Sequence, residues 1–359
     1  MKKVLVIGIM IAVWLASCED IYNPEMDAVE DLLVVEANLV FGQGNNSVRL
    51  YRTINFNASN TSFPPVNGAI VMLIDQLGAS VTLTENGKTG IYSFNAPLDQ
   101  YKSYKLYIRY EGEIIESAYQ KVPKMPAIDS VYTEHTEKLI VVGTDASSGK
   151  LKKEPGAMLY VDIADKGDVT HYRFTHRKIV QYAYPAAAPS GPPAEGTMYA
   201  WMSLRSREMF NIAAPPEYSL STDIKKHPLI FLEQNFSVFI PEVTTYFIGW
   251  IYISHQYAIS EQSFQYYNDL NSQLTAEGKI FDPLYTQARG NISCITDPKK
   301  TILGNFEIST VREHRFYVQP MSNNNYFIKR IPYFWHIPDE GKSFNQQPEW
   351  WEFRSKIYP

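Results

Sequence analysis

The side chain best placed for chemistry is the thiol of Cys18. Lys2 and Lys3 precede an apolar run of twelve residues, Val4 to Leu15, and Ala16 and Ser17 then lead to the cysteine. As a helix that run is about 18 Å long. It is too short for a bilayer core of about 30 Å, so it has the form of a signal peptide (residues 1–17) and not of a span. Leu15-Ala16-Ser17-Cys18 matches the bacterial lipobox. The thiol is the one nucleophile there able to take a diacylglyceryl group as a thioether, after which cleavage makes Cys18 the first residue. Multiple acyl chains hold a protein on a membrane where a single chain does so only marginally. Glu19 and Asp20 follow directly. Acidic residues at that place resemble signals that export lipoproteins to the extracellular side of the outer membrane.

Other chemistries find little support. Cys294 is the only other cysteine, so a lipidated chain has no intrachain disulfide to form. The sequence has no His-Glu-x-x-His, Gly-x-Ser-x-Gly, P-loop, dinucleotide glycine fingerprint or Cys-x-x-Cys. Seven histidines are scattered. His171 and His176 are an odd number apart, which on a strand sends them to opposite faces and argues against a shared metal. His314 lies between Arg312 and Arg315, where like charge favours a neutral ring. No pair of carboxylates stands out for glycoside hydrolysis, although such pairs form in space and not in sequence. The expectation is a protein without catalysis, metal or cofactor. Tyr182, Tyr184, Tyr199 and Trp201 flank a Pro/Ala/Gly loop at residues 185–196. Aromatics around such a loop could make a platform for a ligand or partner, or could cap the end of a sandwich.

The elements that must carry these residues read as β-structure. The formal net charge is −5, and it becomes more negative once Lys2 and Lys3 leave with the signal. With no basic cluster, that argues against nucleic acid as a partner and against docking on anionic lipid by charge. A hydrophobic content of 45% suffices for a core, and 25 tyrosines with 18 phenylalanines suit strands. Residues 18–30 read as a tether. Residues 32–39, 47–53, 68–75, 81–84, 91–95, 104–110 and 113–122 read as short strands. In 104–110, Tyr104, Leu106, Ile108 and Tyr110 share one face, and Glu111-Gly112 turns the chain. This predicts an immunoglobulin-like or transthyretin-like sandwich over residues 31–123.

Pro123 and Pro126 mark a boundary. Beyond it, residues 127–320 predict a second β-sandwich. Its strands are expected at 157–163, 170–184, 198–204, 228–239, 244–254, 305–310 and 314–318. One packed helix is expected near 260–277, with Ser260 as N-cap, Glu261 in the first turn, and Phe264, Tyr267, Leu270 and Leu274 at helical spacing. Gly290-Asn291 suggests a tight turn or a positive φ. Cys294, between Ile292 and Ile295, suits a buried small hydrophobe. Residues 321–359 form an aromatic tail expected to pack on the body.

Several stretches together resemble one family. They are Pro64-Pro65-Val66-Asn67-Gly68-Ala69, Pro126-Ala127-Ile128-Asp129-Ser130-Val131, Ile259-Ser260, Phe281-Asp282-Pro283-Leu284, Gly290-Asn291-Ile292, Leu303-Gly304-Asn305-Phe306-Glu307-Ile308-Ser309 and Gln347-Pro348-Glu349-Trp350. The set is similar to the outer-membrane lipoproteins grouped as domain of unknown function 4249, across essentially the whole mature chain. The resemblance implies a lipid-anchored protein, often encoded beside a TonB-dependent transporter, with no established catalytic residues. Members often carry a cysteine pair before the terminal signature. Residues 336–346 here have none, so no disulfide clip is expected there. The expected function is therefore an accessory or binding protein with a membrane anchor and a transporter as possible partner. A structural or adhesive surface module and a carbohydrate-active hydrolase are the alternatives.

Overall fold

Leu33, Val35, Ala37 and Leu39 alternate with more polar neighbours, and the first strand buries that odd-numbered set. A computed structural model describes residues 31–54, 62–142, 150–164, 171–185, 197–205, 210–217, 221–234, 246–275 and 288–331. The strands of the N-terminal half are β1 (Leu33–Val40), β2 (Asn46–Arg52), β3 (Ile70–Asp75), β4 (Ser80–Thr82), β5 (Thr84–Glu85), β6 (Ile91–Phe94), β7 (Ser103–Tyr110), β8 (Glu113–Ser117) and β9 (Gln120–Lys121). β1, β2, β6 and β5 lie side by side in one sheet, and β8, β7, β3 and β4 in a second, with β9 beside β7. Val35, Leu50 and Tyr92 meet Val71, Leu106 and Ile108 between them. The alternation in residues 104–110 is the one the sequence predicts, with Tyr104, Leu106 and Ile108 buried.

The second half follows as β10 (Ser130–Val142), β11 (Lys150–Ile163), β12 (His171–Pro185), β13 (Thr197–Arg205), β14 (Asn211–Ala213), β15 (Ile224–Glu233), β16 (Tyr246–Ile259), helix α1 (Glu261–Thr275), β17 (Ile292–Cys294), β18 (Ile302–Pro320) and β19 (Tyr326–Arg330). β10, β11 and β15 form a three-stranded sheet. Its Leu159, Val161, Ile230 and Leu232 pack on Tyr172, Phe174, Trp250 and Tyr252 of β12 and β16. The molecule is mainly β, two sandwich-like halves with one packed helix, as the sequence predicts.

The halves share a strand. Sequence predicts two short strands at 305–310 and 314–318, whereas β18 runs unbroken for 19 residues. Its first part pairs in parallel with β1, from Leu33 opposite Ile302 to Val40 opposite Ser309. From Thr310 to Val318 it pairs antiparallel with β16. One ten-stranded sheet therefore passes through both sandwiches. The apparent break at Arg312-Glu313 is a charged stretch of one strand, located where the chain leaves one core and enters the next.

The N-terminal core also takes in residues far along the chain. Ile292, Cys294, Ile302, Phe306 and Ile308 belong to it, and β17 pairs with β8. Two glycines permit this return. A Cβ on Gly304 (φ +102°) would lie 1.9 Å from the Val35 carbonyl oxygen, and one on Gly290 would lie 1.6 Å from the Gly304 carbonyl oxygen. Gly290 is thus needed for close backbone approach and not for a positive φ, which corrects the turn reading. Asn291 clasps the strand beside it, accepting from the Phe306 amide at 2.9 Å and donating to its carbonyl at 2.8 Å.

Candidate functional site

The seam between the halves gathers the polar groups that a β-sandwich core would exclude. α1 starts at Ser260, whose hydroxyl accepts from the Ser263 amide at 3.2 Å. Its first turn is fastened to the N-terminal half. Asn305 donates to Ser263 at 3.1 Å, and Gln120 of β9 donates to Gln262 at 2.9 Å. Beneath the helix Arg173 of β12 reaches Glu307 of β18 at 2.9 Å. The Arg173 guanidinium carbon lies 4.3 Å from the ring centre of Tyr257 and 5.2 Å from that of Tyr267. Burial alone would lower the Arg173 pKa, yet the Glu307 charge and the two rings hold it above its ordinary value. Burial, then the Glu307 charge, push the Tyr267 phenol far up, so it stays protonated. The cluster can clamp the halves; with its charges matched internally it offers nothing to a substrate.

A second polar cluster lies a few residues further along β18. Gln256 donates to the Ala127 carbonyl at 3.3 Å and meets Nε2 of His314 at 3.0 Å. Thr310 donates to the Lys124 carbonyl at 2.8 Å, so the linker between the halves is docked on the strand. Burial, followed by the charges of Arg330 and Arg312, lowers the His314 pKa to about 4, so its ring is neutral at pH 7. One edge of β18 holds β1 as far as Ser309 and β19 from Phe316. Between them a cleft of about 210 Å³ opens, lined by Ile128, Arg312, Glu313, His314, Arg315, Arg330 and Ile331. Glu313 is engaged at both oxygens, by Arg315 and by His255 at 3.0 Å. The hydrogen bond from His255, with Arg315 beside it, holds its pKa down at about 2.

The residues singled out from sequence do not assemble. Tyr182 is buried in the core facing the three-stranded sheet, and Tyr184 packs half-buried beside it with ring centres 6.2 Å apart. Trp201, opposite Gln181 in register, is buried in a separate cluster with Ile179, Ile251 and Tyr317. Tyr199 stands opposite Ala183, its side chain outside what is described, as is most of the 185–196 loop. Cys18 and residues 332–359 also lie outside the described residues. His171 packs on Phe264 of the helix while His176 packs on Tyr252. Among the described residues no three His, Cys, Asp or Glu are grouped to hold a metal. Cys294 is buried, its sulfur 3.4 Å from the Thr296 hydroxyl. Sequence reading missed Arg312 and Arg330 as a pair; the available signal was the charge interrupting an otherwise apolar strand pattern.

These features define a mainly β protein whose halves are joined through a shared strand and a helix. The chain belongs to the family described as Domain of unknown function (DUF4249), whose model matches residues 19–315. No curated protein and no solved structure matches it. Four of the stretches that carry the family resemblance meet at the seam: the linker at Ala127, the helix cap at Ser260, the Asn291 clasp and residues 303–309 of β18.

Proposed function

We propose that this is a lipid-anchored protein of the outer membrane, facing the extracellular side, that serves as a non-catalytic accessory or binding partner. A TonB-dependent transporter is the partner that the family resemblance favours. The observation that carries the reading is Cys18 in its lipobox, a short stretch ahead of β1. From Cys18 to Leu33 the chain can reach at most about 50 Å, which keeps the body close to the membrane and to a barrel embedded in it. β1 is an inner strand of the ten-stranded sheet, paired with β18 on one side and β2 on the other, so pull on the tether acts on a strand held at both edges.

Contact with a protein partner is supported by the β10–β11 ribbon. β15 pairs with β11 only from Gly156 onward, leaving the outer part of the ribbon two-stranded among the described residues. Leu139 and Leu151 are exposed there, 60% and 68% respectively. Exposed apolar side chains on a projecting ribbon suit a contact surface.

The test is affinity purification of the full-length protein from detergent-solubilised membranes. A co-purifying β-barrel is expected, lost on Leu139→Asp/Leu151→Asp, and Cys18→Ala should remove the lipid mass from the mature chain. Recovery of the protein alone, or an unlipidated mature N-terminus, would count against the reading.

A further inference from the structure

Among the described residues, the cleft on β18 carries more positive charge than its own carboxylate balances. Three arginines line it against one carboxylate, and His314 adds no charge at neutral pH. Glu313 already serves Arg315 and His255 through both oxygens. Arg312 and Arg330 have no hydrogen bond or ion pair among the described residues; Arg330 instead lies over the Phe316 ring, 5.8 Å from its centre. In a chain of net charge −5, carboxylates are the more abundant partners, yet among the described residues these two arginines line the cleft with no carboxylate paired to them. The like-charge field is felt nearby, since Arg330 and Arg312 both help to keep His314 neutral.

The site has the build of a small-molecule pocket. It lies where the linker crosses the second half of the fold, and it mixes apolar walls with a few polar groups. Ile128 comes from the linker and Ile331 from the strand end, giving an apolar wall for a short hydrocarbon spacer. At about 210 Å³ it is smaller than the usual pocket of about 300–1,000 Å³. That volume suits a molecule of a few carbons. A planar guanidinium matches a carboxylate through two parallel N–H donors.

We propose that this cleft binds a small organic dianion, two carboxylates on a short aliphatic spacer, with Arg312 and Arg330 each taking one carboxylate. The site is independent of the membrane anchor and of any barrel partner.

Calorimetric titration of the full-length protein in detergent with succinate, glutarate, acetate and inorganic phosphate tests it. A dicarboxylate should bind saturably, and acetate at least tenfold more weakly. Arg312→Gln/Arg330→Gln should weaken the dicarboxylate at least tenfold, with Lys88→Gln, a distant exposed change, leaving it intact. A thermal melt of the same variants without ligand separates binding from structure. Among the described residues neither arginine has a hydrogen bond or ion pair to lose, and Arg330 gives up only its contact with the Phe316 ring, so the double variant should melt close to the wild-type temperature, and only wild type should be stabilised by added dicarboxylate. Absence of saturable dicarboxylate binding would overturn the proposal. So would tighter binding of phosphate, or a double variant that melts well below wild type.

Discussion

Two arginine sites on one strand differ in who supplies the counter-charge. At Glu307 the strand β18 brings its own carboxylate under α1, and Arg173 is held there between two aromatic rings. A few residues on, at Arg312, the strand passes the gap between β1 and β19, and the one carboxylate present is already taken. The first arrangement is closed and joins the halves. The second is open, and among the described residues its Arg312 and Arg330 have no carboxylate paired to them. The same residue type thus acts as a fastening where the partner is built in and as a receptor where it is left out.

The comparison can be broken hardest at the backbone. Gly304→Ala puts a Cβ 1.9 Å from the Val35 carbonyl oxygen at a positive φ. It should part β1 from β18, with a loss of about 4 kcal/mol or more, read as failure to recover folded protein or a collapsed melting temperature. Next comes the closed site. Glu307→Gln leaves a buried guanidinium without a counter-charge and should destabilise by about 3–5 kcal/mol in urea unfolding. Arg173→Met/Glu307→Leu should recover most of that loss, because the penalty comes from the orphaned charge and not from the missing pair.

Acid should act through the buried histidines. His314 and His227 titrate at about 4 when folded, for both chiefly because of burial, and near 6.5 when unfolded. The unfolded chain therefore binds more protons between those values. The stability these rings contribute is full above about pH 6.5 and is lost as pH falls toward 4. Glu313, with a folded pKa of about 2, extends the loss below its unfolded value. For His314 the effect is on the order of 2 kcal/mol near pH 4.5. His314→Gln keeps a partner for Gln256 and should flatten the slope of melting temperature against pH. The smallest effect belongs to the open site: Arg312→Gln alone should stay within about 0.5 kcal/mol of wild type.

Much of this architecture is legible in the sequence where local pattern dominates. The alternation in β7, the Ser260 cap and the apolar spacing of α1 are short-range signals, and the structure follows them except at Leu274, which is exposed near the end of α1. What local pattern misses is non-local. The parallel pairing of β1 with β18 joins residues about 270 apart, as Leu33 with Ile302, and no turn chemistry announces it. Arg312-Glu313 looks like the end of a strand because charge breaks the apolar pattern; only the place of β18 between two cores explains a charged stretch inside a continuous strand. Tyr182 and Trp201 lie near each other in sequence beside one loop, yet their strands turn them to opposite faces. The candidate cleft was invisible for the same reason, since Arg330 comes to it from β19 after a turn through Asn323 and Asn324 at positive φ.

That a shared strand makes one body of two sandwiches is tested most directly by hydrogen exchange followed by mass spectrometry in rising urea. Peptides from β7, wholly in the N-terminal sandwich, and from β12, wholly in the second, should lose protection at the same urea concentration. Early opening of β7 while β12 stays protected, or the reverse, would contradict it.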